Sequence, residues 1–318
     1  MIDPQTHHPA PTAAAAAPLE GVAPLLHLGV IRVAGEDAAS FLHSQLSQDF
    51  ALLDLQHARL AALLTPKGRM LASFIGFRRS DAEVLLVCSR DLLAPTLKRL
   101  SMFVLRAKAR ISDATAEFQL HGLAGTAARQ LLPADAPPWT LVQHGAASVV
   151  ALYPADGQPR ALWLAPLDAP APQGAALAAE PWLWGEVRAG VATLSAPVAE
   201  AFVPQMLNYE SIGGVNFKKG CYPGQEVVAR SQFRGTLKRR TYLVHVPAAA
   251  QALAAGTEVF AADDAEQPVG LVVQSAVSPV GGVNALISMQ IAAASQSLQA
   301  EGLPLIIQPL PYALLEDI

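Results

Sequence analysis

Phe217–Arg240 reads FKKGCYPGQEVVARSQFRGTLKRR. The stretch holds seven of the chain's 22 Lys and Arg residues and a single carboxylate, Glu226. A segment of about +6 formal charge therefore sits in a chain of net charge −4. A basic island in an acidic protein points to an anionic partner. The same stretch holds Cys221, one of only two cysteines.

Within it, Lys219–Glu226 is KGCYPGQE. Gly220, Pro223 and Gly224 are turn residues, and QEVVARSQF from Gln225 is helix-compatible, with Glu226 in the first turn. A cysteine beside a helix start meets free backbone N–H groups and the positive end of the dipole, and Lys218 and Lys219 add positive charge. Both effects favour thiolate, which makes Cys221 a candidate reactive thiol; the alternative is a small residue packed in a tight turn.

This octapeptide resembles the signature of the YgfZ folate-binding family, which is K-G-C, an aromatic, any residue, then G-Q-E. The resemblance extends to FVPQMLNYE before it and VVARSQFRGTLKRR after it. Weaker marks are WGEVRAGV (Trp184–Val191), FLHSQLSQD (Phe41–Asp49) and TPKGRML (Thr65–Leu71). Together they fall within residues from about 28 to 242. The family is related to the aminomethyltransferase of the glycine cleavage system.

The resemblance implies an α+β chain with a folate-binding portion of two mixed α/β subdomains, then a C-terminal antiparallel β-barrel. It implies tetrahydrofolate, or a one-carbon derivative, as cofactor. It also implies a supporting role in assembly or repair of iron–sulfur client enzymes, a tRNA-methylthiolating enzyme among them. Cys221 matches the family's functional cysteine, and Lys219, Tyr222, Gln225 and Glu226 match the rest of the signature. Arg188 resembles the Arg of the transferase's R-x-x-A-G pattern at shorter spacing. These are the expected folate-binding residues: Gln and Glu can pair with a pterin amide edge, while Arg and Lys can hold glutamate carboxylates. The transferase carries an acidic pair in the strand after the turn that ends at Gly68. This chain has Ala72–Ser73 there, so an accessory folate-binding factor is expected rather than its alternative, a one-carbon (aminomethyl) transferase.

Composition agrees with a soluble protein of about two domains: 318 residues, 52% hydrophobic and 15% charged. The uncharged run Gln267–Ala300 is broken by Pro, Gly and Asn and reads as strands rather than a membrane span. Two cysteines exclude a disulfide framework and a four-thiolate site, and the scattered histidines show no paired spacing. No metal is expected, and a reducing, cytoplasmic setting is. The Pro/Ala-rich residues 1–22 read as a disordered tail, with no basic residue before Arg32 to make a targeting signal. Direct nucleic-acid binding is not expected from an acidic chain whose basic island holds few aromatics.

Along the chain, Leu28–Val33, Arg59–Leu64, Met70–Phe77 and Glu83–Cys88 read as strands, and Cys88 as inert core. Helices are expected from Ala38 and over Asp91–Phe103. VLRAKARI (Val104–Ile111) alternates strictly and predicts a strand with one basic side. This order suits a ferredoxin-like split βαβ unit. Glu117–His121 and Thr126–Leu132 open a second mixed unit, strands follow at Thr140–Gln143, Ser148–Tyr153 and Ala161–Ala165, and Ala175–Gly190 reads as helix broken at Pro181. The folate-binding portion is thus placed at 23–238. Short strands among Pro, Gly, Asp and Asn clusters place the barrel at 239–318.

Overall fold

The computed structural model describes residues 19–315. The first element among the described residues is β1 (Gly21–Pro24), which joins a later sheet. It then runs through β2 (Leu28–Ala34), α1 (Ala38–Gln45), β3 (Ala58–Leu64), β4 (Met70–Ser80), β5 (Glu83–Ser89), α2 (Arg90–Ser101) and β6 (Arg110–Asp113). These five strands form one antiparallel sheet in the order β3-β4-β5-β2-β6. The split βαβ arrangement is present, with β3 as an additional edge strand.

VLRAKARI is mostly not a strand. Only Arg110–Asp113 pairs, and the last partner on β2 is Ala34, opposite Arg110. Beyond it Gly35 turns at φ +134° into α1, so residues 104–109 have no neighbouring strand. Asp37 takes up the slack: its N–H donates to Lys108 O (3.3 Å) and its carboxylate accepts from Lys108 N–H (2.7 Å).

The second mixed unit comprises β7 (Phe118–Ala124), α3 (Thr126–Arg129), β8 (Leu141–His144), β9 (Ala147–Ala155), β10 (Gln158–Pro166) and α4 (Ala179–Arg188). Its sheet order is β1-β7-β10-β9-β8. Pro181 does not break α4. It falls in the first turn, where the N–H that proline lacks would have no intrahelical partner. Most of the expected tail, residues 1–18, lies outside the described residues. Residues 19–22, assigned to the same tail, are built into the fold. Leu19 is buried, and β1 pairs with β7 in the register Gly21↔Ala124. Glu20 accepts from Thr126 N–H at 2.8 Å, capping α3.

The two sheets share a core. Leu28, Val30, Phe77, Leu85 and Val87 of the first meet Leu120, Val150, Leu162, Leu164 and Trp182 of the second unit. Next come α5 (Gln225–Phe233) and six strands: β11 (Arg239–Val246), β12 (Glu258–Ala261), β13 (Asp264–Val277), β14 (Val283–Gln290), β15 (Leu298–Ala300) and β16 (Leu303–Gln308). They close into a barrel, β11-β14-β13-β12-β15-β16, with β16 returning to β11. Closure leaves no open sheet edge. Trp184 Nε1 donates to Asn284 Oδ1 at 2.8 Å, so α4 touches the barrel as well as the second sheet. Among the described residues no helix is long and apolar enough to cross a membrane.

Trp182 fixes α4 on its sheet by lying against Gly122 of β7. A Cβ on Gly122 would come within 2.5 Å of the indole ring. Gly122→Ala is therefore expected to lower stability by about 1–3 kcal/mol through overpacking. Denaturant unfolding followed by tryptophan fluorescence measures it, and an unchanged midpoint would contradict this packing.

Candidate functional site: a thiol loop and a separate charged cavity

Three sequence marks far apart in the chain meet around Cys221. Ser47 Oγ donates to Gly214 O (2.6 Å), Gln48 Nε2 donates to Gly213 O (2.7 Å), and Asn216 N–H donates to Ser47 O (2.9 Å). These bonds tie Phe41–Asp49 to the loop that leads into KGCYPGQE. On its other side, Gly224, the N-cap of α5 at φ +80°, lies against the Thr65–Gly68 turn. A Cβ there would fall 2.6 Å from Thr65 O. The φ and the contact together require glycine.

The motif residues take different directions. Lys219 turns inward and is buried, donating to His43 O and to Leu46 O (3.0 Å), the free carbonyls at the end of α1. Its Nζ also lies 4.4 Å from the centroid of the buried Tyr222 ring. Burial lowers the Lys219 ammonium to about 8, against the opposing pull of Asp49 and Cys221. Burial pushes the Tyr222 phenol up to about 12. Cys221 and Glu226 are exposed and Gln225 is half-buried.

A second polar cluster sits elsewhere, in a cavity between the two sheets and α4. The cavity volume is about 60 Å³, so it is a narrow slot. Phe74, Ile75, Leu152 and Leu162 supply apolar walls, and Ser73, Tyr153, Arg160 and Glu186 supply polar groups. Arg160 enters from β10, is 3% exposed, and stacks on Trp182 with its guanidinium carbon 4.3 Å from the ring centroid. Its Nε has no hydrogen-bond partner among the described residues. Burial lowers it to about 10, which leaves it charged at neutral pH. Glu186 accepts from Trp182 Nε1 (2.9 Å) and pairs through Oε1 with His27 Nε2 (3.1 Å), while Oε2 accepts from Gln274 of the barrel (3.1 Å). Burial works to raise its carboxyl, but His27, Arg160 and Trp182 hold it below the usual carboxylate range. A buried cation facing a slot without a hydrogen bond is an arrangement that a ligand acceptor completes.

No protein-family model matches the chain. Among curated proteins, "tRNA-modifying protein YgfZ" of Edwardsiella ictaluri is 33% identical over 229 residues, covering 67% of each chain. The protein of the same name from Colwellia psychrerythraea is 31% identical over 233 residues, covering 70% of each. The chain belongs to the YgfZ family. Glycine cleavage system aminomethyltransferase T from Bartonella henselae shares its fold, with a TM-score of 0.68 at 16% identity over 92% of this chain and 86% of that one.

For this YgfZ-family chain, none of Arg188, Lys219, Cys221, Tyr222, Gln225 and Glu226 is among the residues lining the cavity. Arg188 instead donates from Nε to both Asp156 oxygens (3.0 Å each) and from Nη1 to Gln308, joining the β9–β10 turn to the barrel. The mark WGEVRAGV does reach the cavity, through Glu186. Cys88 lies on the cavity wall, and burial pushes its thiol up to about 12. Sequence reading missed His27, Arg160 and Glu186. The signals available were an arginine opening an apolar strand run, RALWLA, and a Trp–Glu pair four apart on one helix face.

Burial works against the His27 imidazolium, yet Glu186 raises its pKa above 6.5. The pairing therefore stabilises the fold fully below pH 6.5 and loses that contribution as pH rises through the raised value. In Glu186→Gln only burial and Arg160 remain to act on His27. Its midpoint, followed by imidazole NMR, is expected to fall below 6.5, and a midpoint that stays put would contradict the pairing.

Proposed function

We propose that this chain is an accessory factor that binds a reduced folate in the slot and supports iron–sulfur enzymes, tRNA-modifying ones included, through Cys221. The observation that carries the folate reading is Arg160, charged, buried and without a side-chain hydrogen bond among the described residues. A guanidinium has five N–H donors, and a flat heterocycle with carbonyl and ring-nitrogen acceptors matches them. Glu186 already uses three of its roughly four acceptor positions and keeps one for a ligand N–H. When bound, the reduced ring supplies a carrier for a one-carbon unit. The relatives' name, tRNA-modifying protein, supports the tRNA-modification side of the reading, and the shared fold with an aminomethyltransferase supports the folate side.

Aminomethyl transfer is the less favoured reading. The strand position where the transferase resemblance calls for an acidic pair falls on the cavity wall, and it is occupied by Ser73, whose Oγ accepts from Leu194 N–H (2.9 Å). A hydroxyl held as an acceptor cannot do a carboxylate's proton transfer at neutral pH.

Calorimetry with tetrahydrofolate should show saturable binding. Arg160→Met, which keeps an unbranched stem, should weaken it by roughly ten- to a hundredfold, the worth of a charged hydrogen bond. Cys221→Ser should bind normally but fail to restore iron–sulfur enzyme activity in a deletion strain. No saturable binding of any reduced folate would remove the folate reading, and full rescue by the serine variant would remove the thiol from it.

A further inference from the structure

His43 is the side chain that neither the folate slot nor the fold accounts for. It stands in the last turn of α1, and its Nδ1 pairs with Asp49 Oδ1 at 3.0 Å. Asp49 also accepts from Leu52 N–H (2.9 Å). Burial works to raise its carboxyl, but that backbone bond and His43 hold it below the usual carboxylate range. An ionised Asp49 can only accept, so His43 carries its proton on Nδ1, and Nε2 presents a lone pair. Nε2 makes no hydrogen bond among the described residues. It faces the backbone of Gly220, where an added Cβ would lie only 3.2 Å from it. The next residue is Cys221.

We propose that His43, oriented by Asp49, is the proton acceptor for the Cys221 thiol, and that the three form a monothiol exchange site whose substrate is a disulfide on another molecule. This deepens the thiol half of the reading above and is independent of the folate half. The residue types follow the nucleophile, base and orienting-group pattern of covalent catalysis, with His43 Nε2 set against the residue that precedes Cys221. Lys219 is the other basic group near Cys221, but its ammonium is committed to the carbonyls of His43 and Leu46, so it supplies positive charge rather than a lone pair. Lys218 is exposed and adds charge on the solvent side. Cys88 cannot resolve a disulfide with Cys221, because it is buried in the cavity wall and not ionised near neutral pH. The partner is therefore intermolecular.

The step balances without an added oxidant or reductant. The Cys221 S–H proton passes to His43 Nε2, and the thiolate attacks one sulfur of the partner disulfide. That S–S bond breaks as the mixed disulfide forms. The leaving thiolate takes the proton from the His43 imidazolium. A free thiol on another molecule then releases Cys221 by the same exchange.

The test uses the full chain and an aromatic disulfide reporter whose leaving thiolate is coloured, with labelling located by peptide mass. His43→Gln removes the acceptor. Gly220→Ala keeps every group but crowds the imidazole, and Gly220 is not among the positive-φ glycines, so alanine suits its backbone. Both variants should react with the reporter at Cys221 at least about tenfold more slowly than the parent at pH 7. All three rates should converge at pH 10, where hydroxide ionises a thiol unaided. Equal rates at pH 7, or an equal deficit at both pH values, would overturn the proposal, the second because it marks altered access rather than proton transfer. Should His43→Gln fail to fold, Gly220→Ala alone decides. The assay contains no folate. Lost tetrahydrofolate binding with normal exchange removes only the folate reading, and absent base assistance with intact binding removes only this one.

Discussion

A buried guanidinium with no hydrogen bond among the described residues is the constraint on which the centre of this molecule depends. Removing such a charge from water costs several kcal/mol even after relaxation, and the Trp182 face and the Glu186 carboxylate offset only part of it. To place those two compensating groups, α4 must lie flat on the second sheet, and Gly122 exists to let the indole do so. Gly185 then admits Leu19, which holds β1 beside the helix: a Cβ there would meet Leu19 at 2.6 Å. The barrel completes the wall through Gln274 on Glu186 and Asn284 on Trp184. One helix thus serves the sheet, the slot and the barrel together.

The thiol loop obeys a different logic. Its polar contacts are mostly backbone to side chain, they hold the loop's shape, and they leave Cys221 in solvent. Lys219 ends α1, Ser47 and Gln48 fasten the approach, and the Thr65–Gly68 turn supports the start of α5. The chain therefore carries two chemically distinct places. One is enclosed, apolar and short of acceptors for a cation. The other is open and holds a thiol beside a histidine.

Much of the fold was legible because its signals are local. Strand alternation, turn residues and the position of Pro and Gly placed nearly every strand and helix, and KGCYPGQE led to the family. The misreadings have non-local causes. VLRAKARI alternates as a strand should, but pairing needs a neighbour, and β2 has already turned away at Gly35. Glu20 and Val22 sit beside an alanine run that hides their partners about a hundred residues away on α3 and β7. Arg160 and Glu186 lie 26 positions apart on a strand and a helix that meet only after β10 has paired with β7. Motif matching favoured Arg188, whose donors go to Asp156 and Gln308 in this structure. It also grouped Lys219, Tyr222, Gln225 and Glu226 with a folate, and none of these lines the cavity around Arg160.

If ligand and thiol occupy separate sites, as proposed, a crystal structure of the protein with tetrahydrofolate shows it most directly. The pterin ring is expected in the slot, with an acceptor atom on Arg160 and an N–H on Glu186. Pterin density against Lys219–Glu226, with the slot closed around Arg160, would contradict it.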